Sequence, residues 1–160
     1  MIRVAALVVS SKILSGKKAD TGKETLKETL TNHQMALLSY DIVSDDRQAI
    51  REQLSGLCQN PAPEVILTVG GTGVRPADWT PEATRDVIEK EIPGIGEAMR
   101  AESLKKVKTA MLSRGTAGIR ERTLIINLPG SPKGMKDNLQ VVLPLVEHMV
   151  EKISGISVTS

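Results

Sequence analysis

The chain has 160 residues, 40% hydrophobic and 25% charged, and its 21 Lys and Arg against 19 Asp and Glu leave a formal net charge of +2. That composition excludes a disordered chain, no apolar run reaches the roughly 20 residues of a membrane span, and so even a charge balance argues against coating a nucleic acid. One Trp, one Tyr and no Phe leave almost no rings for stacking bases, so the ligand class still open is a small anion, which needs only local charge.

The predicted elements alternate strand and helix. Residues 2–9 form an apolar run expected of a strand covered on both faces. With no basic leader or small-residue cleavage site before it, this run reads as a strand rather than a signal peptide. After a loop rich in Ser, Lys and Gly, Leu26 and Leu30 share a helical face, and residues 35–43 read as a second strand. Asp45 or Asp46 then caps a helix carrying Ile50, Leu54 and Leu57, which Gln59-Asn60-Pro61-Ala62-Pro63 ends. Cys58, near that end, reads as ordinary packing; a catalytic thiol would want a nearby histidine, and the two are His33 and His148. A lone cysteine and no signal peptide point to a reducing cytoplasm.

Glu64 to Val69 is the expected central strand, and it breaks into Gly70-Gly71-Thr72-Gly73. Thr80-Pro81-Glu82 then has the form of a helix start, with a hydroxyl at the cap, proline at the first position and an acid in the first turn. Pro93 opens another helix with Ile95 and Met99. Thr123 to Leu128 is the last strand, followed by Pro129-Gly130-Ser131-Pro132-Lys133-Gly134 and a long helix. Met135, Leu139, Val142, Val146, Met149 and Ile153 make its apolar stripe, with a kink expected at Pro144. No repeat or linker interrupts residues 1–160, so the expectation is one α/β domain with a mostly parallel sheet and its ligands beyond the strands' carboxyl ends.

Four groups of residues could carry chemistry. Gly70 to Gly73 can bring successive amide N–H groups around a phosphate; the competing reading is a tight turn with no ligand. It is neither a Walker loop nor a dinucleotide fingerprint. Asp78, just downstream, and Asp45, after the second strand, are strand-end carboxylates that could bind Mg²⁺ on a nucleotide, or could serve as helix-end charges and caps. In the second loop Ser131 offers a hydroxyl, and Lys133 is a cation at a helix start, where it opposes the helix dipole unless an anion is bound. Neither glycine loop has an evident packing reason. Glu97, Arg100, Ser113 and Arg114 are further candidates, with a surface Glu97–Arg100 ion pair as the plainer alternative. Trp79 could pack, meet a partner or cover a ligand.

Taken in order, Thr68-Val69-Gly70-Gly71-Thr72-Gly73 and Asp78-Trp79-Thr80-Pro81-Glu82-Ala83 resemble the signature of the MogA/MoaB molybdenum-cofactor biosynthesis family. So do Pro93-Gly94-Ile95-Gly96-Glu97-Ala98-Met99-Arg100, Ser113-Arg114 and Leu128-Pro129-Gly130-Ser131-Pro132-Lys133-Gly134. The resemblance runs over nearly the whole chain and extends to the domains of gephyrin and the plant molybdenum-insertion protein. It implies a three-layer αβα fold and a homo-oligomer, trimer or hexamer, that binds molybdopterin. Other molybdenum-cofactor biosynthesis proteins are implied as partners. In the adenylyltransferase branch, Mg²⁺-ATP and molybdopterin give adenylyl-molybdopterin and pyrophosphate. Asp45 and Asp78 match the family's catalytic aspartates. Gly70, Gly71, Thr72 and Gly73, with Ser131, Pro132, Lys133 and Gly134, match its ligand-binding segments. One departure stands out: the family usually has Ser-Asp and a polar residue after the first strand, where this chain has Ser10-Ser11-Lys12. Asp20 is the next acid in that loop. Two other readings compete: a pterin- or nucleotide-binding protein of the MoaB type that transfers nothing, and a CinA-like nucleotide pyrophosphatase.

Overall fold

The computed structural model describes residues 1–59 and 61–155; Asn60, in the expected helix stop, and residues 156–160 lie outside it. Six strands form one sheet in the order β2-β1-β3-β6-β5-β4. They are β1 (Ile2–Val9), β2 (Met35–Val43), β3 (Val65–Val69), β4 (Lys90–Glu91), β5 (Ala117–Arg120) and β6 (Thr123–Leu128). β2, β1, β3 and β6 run parallel. The short β5 and β4 pair antiparallel at the far edge, and neither was expected from periodicity.

The alternation of strand side chains builds two hydrophobic layers. Val4, Ala6, Val8, Leu67 and Ile126 face one side and meet Leu26 and Leu30, Ile95 and Met99, and Met135, Leu139, Val142 and Val146. These come from α2 (Lys23–Asn32), α5 (Pro93–Leu104) and α6 (Pro132–Ser154), the short α1 (Ser11–Leu14) following β1 directly. Ala5, Leu7, Val9, Ile66 and Ile125 face the other side. There they meet Ile50 and Leu54 of α3 (Arg47–Leu57) and Ala83 and Val87 of α4 (Thr80–Val87). The result is a three-layer αβα sandwich, as expected. Cys58 packs in the second layer, and burial pushes its thiol upward, away from reactivity.

The central strands β1, β3 and β6 are buried along nearly their whole length, which is why they read as unbroken apolar runs. β2 is an edge strand with a register shift opposite Val4 and Ala5 that leaves Leu38 without a partner residue and largely exposed. α6 continues through Pro144 as one helix. From β1 the chain moves to one side of the sheet, and from β3 to the other. The topological switch therefore falls at the carboxyl ends of β1 and β3, where a ligand crevice is expected.

Candidate active site

Four connections leave that edge: Ser10 and the start of the helix at Ser11 after β1, Ser44–Asp46 after β2, Gly70–Gly73 after β3 and Pro129–Ser131 after β6. Two of the glycines in the third are required by the backbone. Gly70 and Gly71 have φ of +104° and +70°, and a Cβ at Gly70 would lie 2.6 Å from the Val9 carbonyl oxygen. At Gly71 it would strike the Thr80 hydroxyl, which itself donates to the Gly70 carbonyl at 2.9 Å. This corrects the expectation that the glycines lack a packing reason, and it corrects Thr80 as well: Trp79 holds the cap position of α4, and the Thr80 hydroxyl fastens the turn. What the turn offers a ligand is its amides. Those of Gly71, Thr72 and Gly73 meet no acceptor among the described residues. Gly70 and Gly130 lie in backbone contact, with a Cβ at Gly130 only 3.3 Å from the Gly70 Cα.

Arg114 ties this turn to Asp78. Its main-chain N–H donates to the Thr72 carbonyl at 2.7 Å, and its Nε to the Gly73 carbonyl at 2.7 Å. One guanidinium nitrogen reaches the Asp78 carbonyl at 2.9 Å, and the other donates to Glu82 Oε2. Burial pushes the Glu82 carboxyl up, but the hydrogen bond and charge of Arg114, with the helix's own amide, hold it below the usual glutamate range. Asp78 is half-buried; its Oδ2 accepts from Arg75 N–H at 2.9 Å.

The two acids after β2 have separate tasks. Asp46 caps α3, accepting from Ala49 N–H at 2.9 Å. Asp45 instead exchanges hydrogen bonds with Ser11: Asp45 N–H donates to Ser11 Oγ at 2.9 Å, and Ser11 N–H to Asp45 Oδ2 at 3.3 Å. Asp20 accepts from the Tyr40 hydroxyl at 2.7 Å and from Gly22 N–H at 3.2 Å, which pins the loop to β2. Among the described residues no group of three or more His, Cys, Asp or Glu could enclose a metal ion. Asp45 and Asp78 each keep one carboxylate oxygen without a hydrogen bond among the described residues. Each is a donor of the kind Mg²⁺ takes, since that ion binds one or two carboxylates and completes its shell with water and substrate phosphates.

A cleft of about 420 Å³ opens beside the two glycine loops. Thr72 and Gly73, Arg100 and Ser113, and Ser131, Lys133 and Gly134 all line it, as do Lys106 and Asp137, paired at 3.2 Å. Ser131 Oγ caps α6 by accepting from Gly134 N–H at 3.1 Å, and Pro132 opens that helix. Lys133 is exposed and has no carboxylate partner among the described residues. Arg100 does not pair with Glu97. It donates to the carbonyls of Gly115 at 2.7 Å and Ser113 at 3.3 Å, while Glu97 stands exposed outside the cleft wall. Asp45, Asp78 and Arg114 also lie outside that wall. Trp79 is 40% exposed, with the Arg47 guanidinium 6.0 Å from its ring centre.

Sequence reasoning missed a buried network behind the turn. Asn127 donates to the hydroxyls of Thr68 at 3.0 Å and Thr84 at 2.9 Å and accepts from Thr116 N–H at 3.2 Å. It thereby joins β3, β6, α4 and the segment leading into β5. The only signal for it was a polar residue inside the otherwise apolar run Thr123–Leu128.

Residues 5–148 match the model of the family described as "Probable molybdopterin binding domain". The molybdopterin adenylyltransferase of Helicobacter pylori strain J99 is 40% identical over 156 residues, 96% of this chain and 89% of that protein. That of Escherichia coli K12 is 38% identical, over 88% of this chain and 73% of its own length. The crystal structure of the molybdopterin biosynthesis enzyme MoaB of Thermus thermophilus superposes with a TM-score of 0.91 at 42% identity, covering 97% of this chain and 98% of that one. The chain therefore belongs to the molybdopterin-binding domain family that includes these adenylyltransferases and MoaB.

Proposed function

We propose that the protein is a molybdopterin adenylyltransferase of molybdenum-cofactor biosynthesis, acting as one domain. The terminal phosphate of molybdopterin attacks the α-phosphorus of ATP, the bond to the β,γ unit breaks, pyrophosphate leaves and adenylyl-molybdopterin forms. The observation that supports this most is the backbone contact of Gly70 with Gly130. It sets two loops suited to anions side by side, as a reaction between two phosphates requires.

Such a transfer needs alignment and charge neutralisation more than covalent help. The free amides of Gly71 to Gly73 receive phosphate. The Ser131 hydroxyl, still able to donate while its oxygen caps α6, holds the pterin's phosphate end together with Lys133. Arg100 and Ser113 shape the wall between them. Asp78 and Asp45 would hold Mg²⁺, which when bound supplies charge neutralisation to the triphosphate. The relatives named adenylyltransferase span most of this chain, which disfavours both the purely binding reading and the nucleotide pyrophosphatase reading. We place the protein in the cytoplasm as a homotrimer, with sedimentation analysis as the check on assembly.

The test is to combine purified protein, ATP, Mg²⁺ and molybdopterin and look for adenylylated pterin. Absence of product while both ligands bind would overturn the reading. Asp78→Asn is expected to lower turnover roughly 100-fold or more while the fold stays intact. Normal turnover would leave Asp78 as a helix-end charge only.

A further inference from the structure

The ladder between β1 and β2 continues past the last paired residues, and its final rungs are made by side chains. Val9 pairs with Val43, and Ser10 N–H donates to the Val43 carbonyl at 2.9 Å. One step on, the main chain no longer supplies the partner. Asp45 N–H donates to Ser11 Oγ, and Ser11 N–H returns a bond to Asp45 Oδ2, so the two residues close a ring between the loops. Ser11 is itself held in place. Ser10 Oγ accepts from Ile13 N–H at 3.2 Å, capping the four-residue helix Ser11–Leu14.

Asp45 needs such a partner. It follows the end of β2, and it precedes the residue that caps α3, so neither element fixes its side chain. The bond from Ser11 occupies Oδ2 and leaves Oδ1 for a ligand. A carboxylate that must meet a nucleotide–metal complex works best when its rotamer is set beforehand, because displacements near an ångström cost rate.

We propose that Ser11 is a positioning residue for Asp45: its hydroxyl and amide clasp the aspartate's amide and one carboxylate oxygen and present the other oxygen to the bound nucleotide. The inference rests on the adenylyltransferase reading. It gives the position where the resembling family usually carries an acid a different task in this chain, supplying a hydroxyl clasp in place of a carboxylate.

Ser11→Ala and Ser11→Thr test it in the full chain. Alanine removes the acceptor for Asp45 N–H, and threonine keeps a hydroxyl. In Ser11→Ala, kcat is expected to fall about tenfold with KM for molybdopterin unchanged. Mn²⁺ binding in the presence of ATP, followed by electron paramagnetic resonance, should weaken several-fold, and the Asp45 amide should exchange faster with solvent by nitrogen-15 NMR. Ser11→Thr should restore all three. A merely structural serine would shift Tm and leave kcat, Mn²⁺ affinity and the rescue untouched, which overturns the proposal. If the wild-type protein makes no adenylylated pterin, the adenylyltransferase reading fails on its own. Amide exchange and Mn²⁺ affinity then decide the clasp, and wild-type values for both in Ser11→Ala would overturn it.

Discussion

The turn after β3 and the loop after β6 touch at Gly70 and Gly130, yet they are held by different means. The Gly70–Gly73 turn is clamped from outside: two left-handed glycines, the Thr80 hydroxyl on one carbonyl, and Arg114 on Thr72, Gly73 and the loop beyond. The Pro129–Gly134 loop is stiffened from within, by two prolines and the Ser131 cap, and none of its residues needs a positive φ. Its polar side chains remain exposed. In the first region the side chains are spent on holding the backbone, so the backbone amides are what is left to meet a ligand. In the second the backbone holds itself and the side chains are free to bind. Substitutions that strip support should therefore cost stability in the first region and binding in the second.

The largest stability effect should come from Gly70→Ala. A methyl there meets a main-chain oxygen of β1 at 2.6 Å, on a backbone with φ of +104°. The central strands cannot move apart without breaking their ladder. Left-handed strain and the clash together should lower stability by about 3 kcal/mol, read by chemical denaturation. A loss below about 1 kcal/mol would mean that the turn yields more readily than its packing implies.

Arg114→Ala should come next, at about 2 kcal/mol, because it takes the donor from the Gly73 and Asp78 carbonyls and the ion-pair partner from the Glu82 carboxylate. The same pair predicts an acid limb. The Glu82 carboxyl is held below the 4.5 of a free glutamate. Its stabilising contribution is therefore complete above that value and is lost as pH falls through the lower folded value. Arg114→Ala should remove that part of the acid dependence. An unchanged acid limb in the variant would assign it to other carboxylates, such as Glu64 or Asp86, which are also held low by arginines.

Arg114 also marks the limit of what the sequence discloses. β1, β3 and β6 were legible because burial writes itself as apolar runs, the half-exposed edge strand β2 because it is largely apolar all the same, and α6 because its stripe repeats every three or four residues. β4 and β5 were not. They are two and four residues long; β5 is set against β6 by a hairpin through Glu121, which takes a left-handed backbone without being glycine, and β4 reaches β5 only through a long connection. The glycine turn, Asp45, Asp78 and the Ser131–Lys133 pair could be read as candidates, since each stands next to a strand end or a helix start. The partners of the Arg114 side chain could not, because they lie 32 to 41 residues away. Arg100 misled for the same reason: a sequence neighbour at helical spacing suggested Glu97, whereas the fold brought carbonyls from another segment closer. Ser11 showed as a missing acid, and its bond to Asp45 became visible only when β1 and β2 were laid side by side.

The smallest stability effect and the most selective functional one should come from Lys133→Ala. Lys133 lies in the first turn of α6, where its charge opposes the helix dipole, and no carboxylate among the described residues offsets it. Removing it should change stability by less than about 0.5 kcal/mol, in either direction. If the loop holds the pterin's phosphate end, the loss of one charge-assisted hydrogen bond should weaken molybdopterin binding about tenfold. ATP binding through the amides of the neighbouring turn should be nearly unaffected. Titration of each ligand separately by calorimetry makes the distinction. Equal weakening of both would mean that the two loops share one phosphate, and that their backbone contact joins them into a single anion site. Selective loss of ATP would exchange the occupants of the two loops and leave the division of labour between backbone and side chains in place.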